Sequence, residues 1–152
     1  MRDRRESVET KSETVWGQCG KYDVHVVCLD YKVDEIRADF NFIVRSIRER
    51  LGARPMVIQL PIGAESDFEG VVDLVGMRAL TWRGEVKMGD DYAVEAIPAS
   101  LLETAKEYRE KLVEAVAEAD DELMELYLAG QEISAAQIKA GIRKLPVHSQ
   151  AH

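Results

Sequence analysis

The chain has few cysteines, no long apolar run and less basic than acidic charge. Two cysteines in 152 residues, Cys19 and Cys28, are too few for a disulfide framework. A reduced, cytoplasmic setting is therefore expected. No apolar run is long enough to span a bilayer, and the charged start at residues 1–6 leads into no apolar segment, so we predict neither a secretory signal nor a membrane partner.

The charge balance is acidic. Twenty-eight aspartate and glutamate residues outnumber 20 lysine and arginine residues, which gives a formal net charge of -8. Because a phosphate backbone repels such a surface, the composition argues against general nucleic-acid binding. Hydrophobic residues make up 46% of the chain, which is typical of a globular protein that needs neither a metal nor a disulfide to form its core.

The first sixty residues alternate between helix-like and strand-like patterns. Helices are predicted at residues 12–22 and 38–51, the second ending at Gly52, and buried strands at residues 24–29 and 56–60. This order is typical of a parallel α/β sheet. We therefore expect the two strands to pair in parallel, with an exposed edge and an uncovered apolar face.

Residues 61–97 have a different character. Short apolar runs broken by glycine and charge predict strands at residues 70–75, 77–82 and 92–97, with a turn at residues 83–85. These strands are expected to form a small antiparallel sheet.

The remainder is predicted to be helical. Ser100 with Glu103 and Ser134 with Gln137 have the spacing of capping boxes, which predicts helices that begin at these points. Between them, Gly130 is expected to end a helix, and Pro146 is expected to end the last one.

Several stretches occur in a fixed order along the chain. They are Ser12-Glu13-Thr14-Val15-Trp16 with Lys21-Tyr22, Lys32-Val33-Asp34 with Ala38-Asp39-Phe40, and the long run from Arg50 to Trp82 that includes Gln59-Leu60-Pro61-Ile62-Gly63-Ala64-Glu65 and Phe68-Glu69-Gly70-Val71-Val72-Asp73-Leu74-Val75. The helical tail adds Ile97-Pro98-Ala99, Glu107-Tyr108-Arg109, Tyr127-Leu128 and Ile138-Lys139. Together, in this order, these stretches resemble bacterial translation elongation factor G. The resemblance covers roughly residues 7–145.

This resemblance implies a fold of two parts. Residues 1–60 would be a partial P-loop GTPase-type parallel sheet that includes the guanine-specificity element. Residues 61–145 would be the inserted subdomain called G-prime, a small antiparallel sheet packed with C-terminal helices. Residues 146–152 are expected to be a disordered tail.

The guanine-specificity element is degenerate. The family has Asn-Lys-x-Asp, whereas this chain has Tyr31-Lys32-Val33-Asp34. Lys32 and Asp34 match the cofactor-binding positions, but the phenol of Tyr31 cannot supply the paired donor and acceptor of an amide. Leaving buried polar groups unpaired costs about 1–3 kcal/mol. The alternative is that Lys32 and Asp34 are ordinary turn residues.

The phosphate-binding motif Gly-x-x-x-x-Gly-Lys-Ser/Thr does not occur in the sequence. That motif supplies the backbone amides and the lysine that hold the phosphates. GTP or GDP is thus implied by the resemblance alone. We expect neither tight binding nor hydrolysis by this chain, no catalytic residues and no metal site.

The resemblance also implies a partner, the stalk protein of the large ribosomal subunit. A docking face would come from the acidic residues of the helical tail, which are Glu103, Glu107, Glu110, Glu114, Glu118, Asp120, Asp121, Glu122 and Glu125. The alternative is a solvated helix face. For the chain as a whole, the hypotheses are a fragment of the factor, a stand-alone module that docks on the stalk, a non-functional remnant of a decayed gene, and an unrelated small enzyme.

Overall fold

The computed structural model describes residues 10–22, 26–28, 40–63, 65–82 and 92–145. The helices are α1 (Thr10–Lys21), α2 (Phe40–Leu51), α3 (Ala99–Ala117), α4 (Asp121–Leu128) and α5 (Ala135–Lys144). The strands are β1 (Gln59–Ile62), β2 (Gly70–Asp73), β3 (Arg78–Thr81) and β4 (Ala93–Glu95).

The strands form one sheet in the order β1-β2-β3-β4. Every neighbouring pair is antiparallel, with Leu60 opposite Val72 and Val72 opposite Ala79. The predicted mixture of α and β structure, with a small antiparallel sheet and packed helices, is therefore confirmed. The predicted domain boundary after residue 60 lies within β1, and the division into domains stays a prediction.

Parallel pairing is not found among the described residues. Val26–Cys28 form no strand, and Val26 and Val27 are 40% and 82% exposed, although the sequence predicts a buried strand there. The end of the second predicted strand belongs to β1, which pairs with β2. The link between β1 and β2 is much shorter than the chain between residues 29 and 56, so its closure costs less entropy.

Two glycines are required where the chain turns. Gly52 follows α2 with a φ of 61°, which confirms the predicted helix end. Gly63 follows β1 with a φ of 79°, and a Cβ there would lie 1.9 Å from the carbonyl oxygen of Asp67. The turn from β1 towards β2 therefore admits only glycine at this position.

The core lies between one face of the sheet and α3, α4 and α5. Alternate strand residues point inward, as the pleat requires, and helix α3 places Ala105, Leu112 and Val116 opposite them. The buried core cluster is Leu60, Ile62, Val72, Leu74, Val75, Ala79, Ala105, Leu112, Val116, Ala117, Leu123, Ile133 and Ile138.

The two predicted capping boxes have different outcomes. Ser134 and Gln137 form the box, with both reciprocal hydrogen bonds present. The box predicted for Ser100 and Glu103 is wrong, because α3 begins at Ala99 and Pro98 occupies the N-cap position without a side-chain cap. The Pro98 carbonyl already accepts a hydrogen bond from the Leu101 amide at 2.9 Å, so Ser100 lies inside the first turn.

Candidate interaction surface

The residues of the predicted guanine site lie outside the described ranges. Tyr31, Lys32 and Asp34 therefore stay predictions of the sequence, as do the turn at residues 83–85 and the tail at residues 146–152.

Helix α3 and its C-cap carry five glutamates along one side. The spacings of four, three, four and four residues place them within a narrow angle around the helix axis, and all five are exposed. We call this set the acidic stripe; it consists of Glu103, Glu107, Glu110, Glu114 and Glu118.

The ends of the acidic stripe are partly neutralised. Lys106 lies 3.4 Å from Glu103, and Lys111 lies 2.7 Å from Glu107. At the other end, Arg54 lies 3.6 Å from Glu118. These exposed pairs contribute little to stability.

The middle of the acidic stripe keeps its negative charge. In the described part of the chain, neither Glu110 nor Glu114 forms an ion pair. Asp121, Glu122 and Glu125 of α4 are exposed as well. A basic partner would therefore meet an uncompensated negative surface.

Asp120 does not belong to this surface, contrary to the sequence prediction. Its side chain is only 7% exposed, and its carboxylate lies 2.6 Å from the ammonium of Lys144. It also accepts a hydrogen bond from the Glu122 amide and so caps α4. The hydrogen bond from Lys144 lowers the pKa of Asp120, while burial acts in the opposite direction. Because Asp120 caps α4 and pairs with Lys144 of α5, it joins the two helices.

Arg109 is the connecting residue that the sequence analysis missed. Its guanidinium donates to the carbonyl oxygens of Leu74 and Val75 at 2.7 and 2.5 Å, and to that of Ile133 at 3.0 Å. It thereby ties α3 both to the turn after β2 and to the segment before α5. Burial lowers the pKa of Arg109, while Glu132 and Asp73 act in the opposite direction. An arginine on an amphipathic helix gives no sequence signal for such contacts.

A small open cleft lies at one end of the sheet. It has a volume of about 350 Å³ and is lined by Glu69, Thr81, Trp82 and Glu95. The Thr81 hydroxyl donates to the Glu95 carboxylate at 3.3 Å. The ring centroids of Trp82 and Tyr92 are 6.2 Å apart. Carboxylates beside an aromatic face suit a cationic group.

The described ranges contain no group of three His, Cys, Asp or Glu side chains placed to hold a metal ion. None of the helices in these ranges has both the length and the apolar character needed to cross a bilayer.

Comparison with known proteins identifies a shared fold. No protein-family model matches the chain. A crystal structure of the Thermus thermophilus protein designated ttk003000868 is similar, with a TM-score of 0.72 and 21% sequence identity over 88% of this chain. The match takes up 19% of the Thermus chain, so this chain spans about a fifth of that protein's length. At this identity the likeness concerns the fold alone.

Proposed function

We propose that this chain is part of an elongation-factor-G-type translational GTPase, consisting of the end of the GTPase domain and the inserted subdomain. The observation that supports the proposal is the ordered sequence resemblance from Arg50 to Trp82 and along the helical tail. An antiparallel sheet covered by helices is also the architecture that this resemblance implies for the inserted subdomain. The parent activity would be GTP hydrolysis that drives ribosomal translocation in the cytoplasm.

In this proposal, the chain acts by contacting a partner with its surface and does not itself catalyse a reaction. Its sequence has no phosphate-binding motif, and Tyr31 replaces the asparagine of the guanine-specificity element. Phosphate contacts supply much of the affinity for a nucleotide, so the 152-residue chain by itself should neither bind GTP tightly nor hydrolyse it.

Titration with a fluorescent GTP analogue tests the nucleotide part of the proposal. We expect no saturable change in fluorescence in the micromolar range, with or without magnesium. Saturable micromolar binding that unlabelled GTP displaces, and ATP does not, would contradict it.

The acidic stripe favours a more specific role, that of a module docking on the stalk protein of the large ribosomal subunit. Glu110 and Glu114 lie at its centre, are exposed and form no ion pair in the described ranges. A negative surface of this kind raises the association rate with a basic partner and loses its effect as salt screens it.

Retention on purified ribosomes and on isolated stalk protein tests this role. Reversing two charges in Glu110→Lys with Glu114→Lys should abolish retention at low salt. The control Glu49→Lys changes an exposed carboxylate of α2 instead and should leave retention unchanged. Absence of retention of the unaltered chain at low salt would contradict docking and leave the fragment of the factor as the interpretation.

A further inference from the structure

Helix α2 carries two arginines without a carboxylate partner. Arg45 and Arg48 are both exposed, and neither forms an ion pair within the described ranges. Because they lie one turn apart, they are side by side on one flank of the helix. We call Arg45 and Arg48 the arginine pair. In a chain with a net charge of -8, this flank is a local reversal of charge.

The arginine pair adjoins the acidic stripe of α3. The Tyr108 hydroxyl donates to the side-chain oxygen of Asn41 at 3.3 Å, and Asn41 lies about two turns before Arg48 on the same flank of α2. The hydrogen bond with Glu107 raises the pKa of Lys111, and the nearby positive charge of Arg48 acts in the opposite direction. Both observations place this flank of α2 alongside α3.

The charges along the border of the two helices are paired within the molecule. Lys111 lies 2.7 Å from Glu107, and Arg54, which follows α2, lies 3.6 Å from Glu118. Farther from the border, the arginine pair on the α2 side and the middle of the acidic stripe on the α3 side have no such partner in the part of the chain that the structure describes. One face of the protein therefore has a positive half and a negative half, and we call it the two-charge face.

A face of this kind is complementary to a second copy of itself. A twofold axis between its halves places the arginine pair of each copy against Glu110 and Glu114 of the other, so that both sets of contacts form together. A uniformly basic or uniformly acidic partner would match one half and be repelled by the other. We propose that two copies of this chain associate about a twofold axis through the two-charge face.

Salt should affect this association in two ways. The net charge of -8 on each copy opposes the approach of the two molecules, and about 0.15 M salt screens charges farther apart than about 8 Å while leaving close ion pairs much of their attraction. Exposed ion pairs are individually weak, so the expected dissociation constant is on the order of 100 μM. Dimerisation should be weaker both at about 0.01 M salt, where the repulsion is long-ranged, and at about 1 M salt, where the pairs are screened.

The dimer does not depend on the function proposed above. It would cover Glu110 and Glu114, and it would therefore compete with docking of a basic partner on the acidic stripe. Failure of ribosome retention would leave the dimer untouched, and a monomeric chain would leave retention untouched, so the two proposals can fail separately.

Complementary charge reversals test the two-charge face. One variant is Arg45→Glu with Arg48→Glu, and the other is Glu110→Lys with Glu114→Lys. In sedimentation equilibrium at about 0.15 M salt, the unaltered chain should show a monomer–dimer equilibrium, and each variant alone should dimerise at least about tenfold more weakly. An equimolar mixture of the two variants should form a heterodimer, because opposite charges then meet on both sides of the axis.

A matched control separates this contact from the change in net charge. Asp121→Lys with Glu125→Lys alters the net charge as much as Glu110→Lys with Glu114→Lys does, at exposed positions of α4. This control should dimerise as the unaltered chain does. It should not restore association when it is mixed with the arginine-reversal variant. Heterodimer formation by the two reversal variants would also show that both are folded.

Three results would overturn the proposal. The first is an unaltered chain that stays monomeric up to about 1 mM at the intermediate salt concentration. The second is dimerisation that both reversal variants keep, which would place the contact elsewhere on the chain. The third is a mixture of the two reversal variants that associates no more strongly than either variant alone.

Discussion

The region from β1 to α5 and the region of α1 and α2 differ in how much they contribute to the hydrophobic core. Every residue of the buried core cluster lies between Leu60 and Ile138, and α1 and α2 contribute none. Helix α2 adds only Phe40 at the edge of that core, where its ring meets Tyr108 edge-on. The two helices are joined by a half-exposed ion pair in which Arg50 lies 2.9 Å from Glu13.

This difference shows where the stability of the chain resides. Burial of apolar side chains is the main stabilising contribution to a fold, and the sheet with α3–α5 has most of it. The region of α1 and α2 instead exposes apolar side chains, with Val15 at 53% and Phe42 at 39%. Substitutions in the two regions should therefore have very different effects on the free energy of unfolding.

The largest effect is expected from the core of α3. Leu112 is 2% exposed, and Leu112→Ala should lower the free energy of unfolding by about 2–5 kcal/mol because it removes buried methyl groups and leaves a cavity. Val15→Ala on α1 should change it by less than about 0.5 kcal/mol. Urea denaturation of both variants measures the contrast, and equal losses would mean that the two regions share one core.

A smaller loss is expected at Arg109. Arg109→Met keeps much of the apolar stem but leaves the carbonyls of Leu74, Val75 and Ile133 without their donor. The free energy of unfolding should fall by about 1–3 kcal/mol. Arg109→Lys should recover only part of this loss, since one ammonium cannot donate to three carbonyls in the fixed directions that the planar guanidinium provides. Full recovery with lysine would show that charge alone matters.

Two glycines give opposite expectations. A Cβ at Gly141 would lie 2.1 Å from Val116 Cγ1 and 2.8 Å from Leu123 Cδ1, so Gly141→Ala should destabilise the chain by about 1–3 kcal/mol through overpacking. Nothing lies within 4 Å of a Cβ at Gly17 in α1, so Gly17→Ala should stabilise that helix by up to about 1 kcal/mol. Thermal unfolding followed by circular dichroism checks both signs.

The smallest effect concerns pH. The pKa of Asp120 is lowered by its hydrogen bond with Lys144, so the folded state holds this proton less tightly than the unfolded state. The resulting stability is present above the unfolded pKa of about 3.9 and is lost as pH falls through the folded pKa. Lys144→Met should therefore flatten the decline of the urea midpoint in acid. If the urea midpoint of Lys144→Met fell with decreasing pH as steeply as that of the unaltered chain, the Asp120–Lys144 pair would not contribute to the loss of stability in acid.

Local sequence signals predicted most of the region from β2 to α5. Short apolar runs broken by glycine and charge located β2, β3 and β4, and the Ser134–Gln137 spacing located the start of α5. These features depend on neighbours in the chain, so the pattern contains the information needed. Side chains that act across the fold were not predictable: Arg109 lies on the amphipathic helix α3 and Asp120 at the N-cap of α4, and only tertiary contacts distinguish them from solvated charged residues.

The strand predicted at residues 24–29 shows that a local sequence pattern can also predict an element that does not form. Its β-branched run has the propensity of a buried strand, but propensity does not provide a partner. At Val26–Cys28 no strand forms, and Gln59–Ile62 pairs instead with the nearby Gly70–Asp73. The acidic stripe was predictable as a pattern, whereas the pairing of its ends with Arg54, Lys106 and Lys111 required the structure.

Native-state hydrogen exchange of the unaltered chain tests the contrast between the two regions most directly. The amides of α3 and β2 should exchange only at the rate of global unfolding, while those of α1 should exchange much faster through local opening. Slow exchange of α1, matching that of α3 across a range of denaturant concentrations, would contradict the account, since it would place both regions in one cooperative unit.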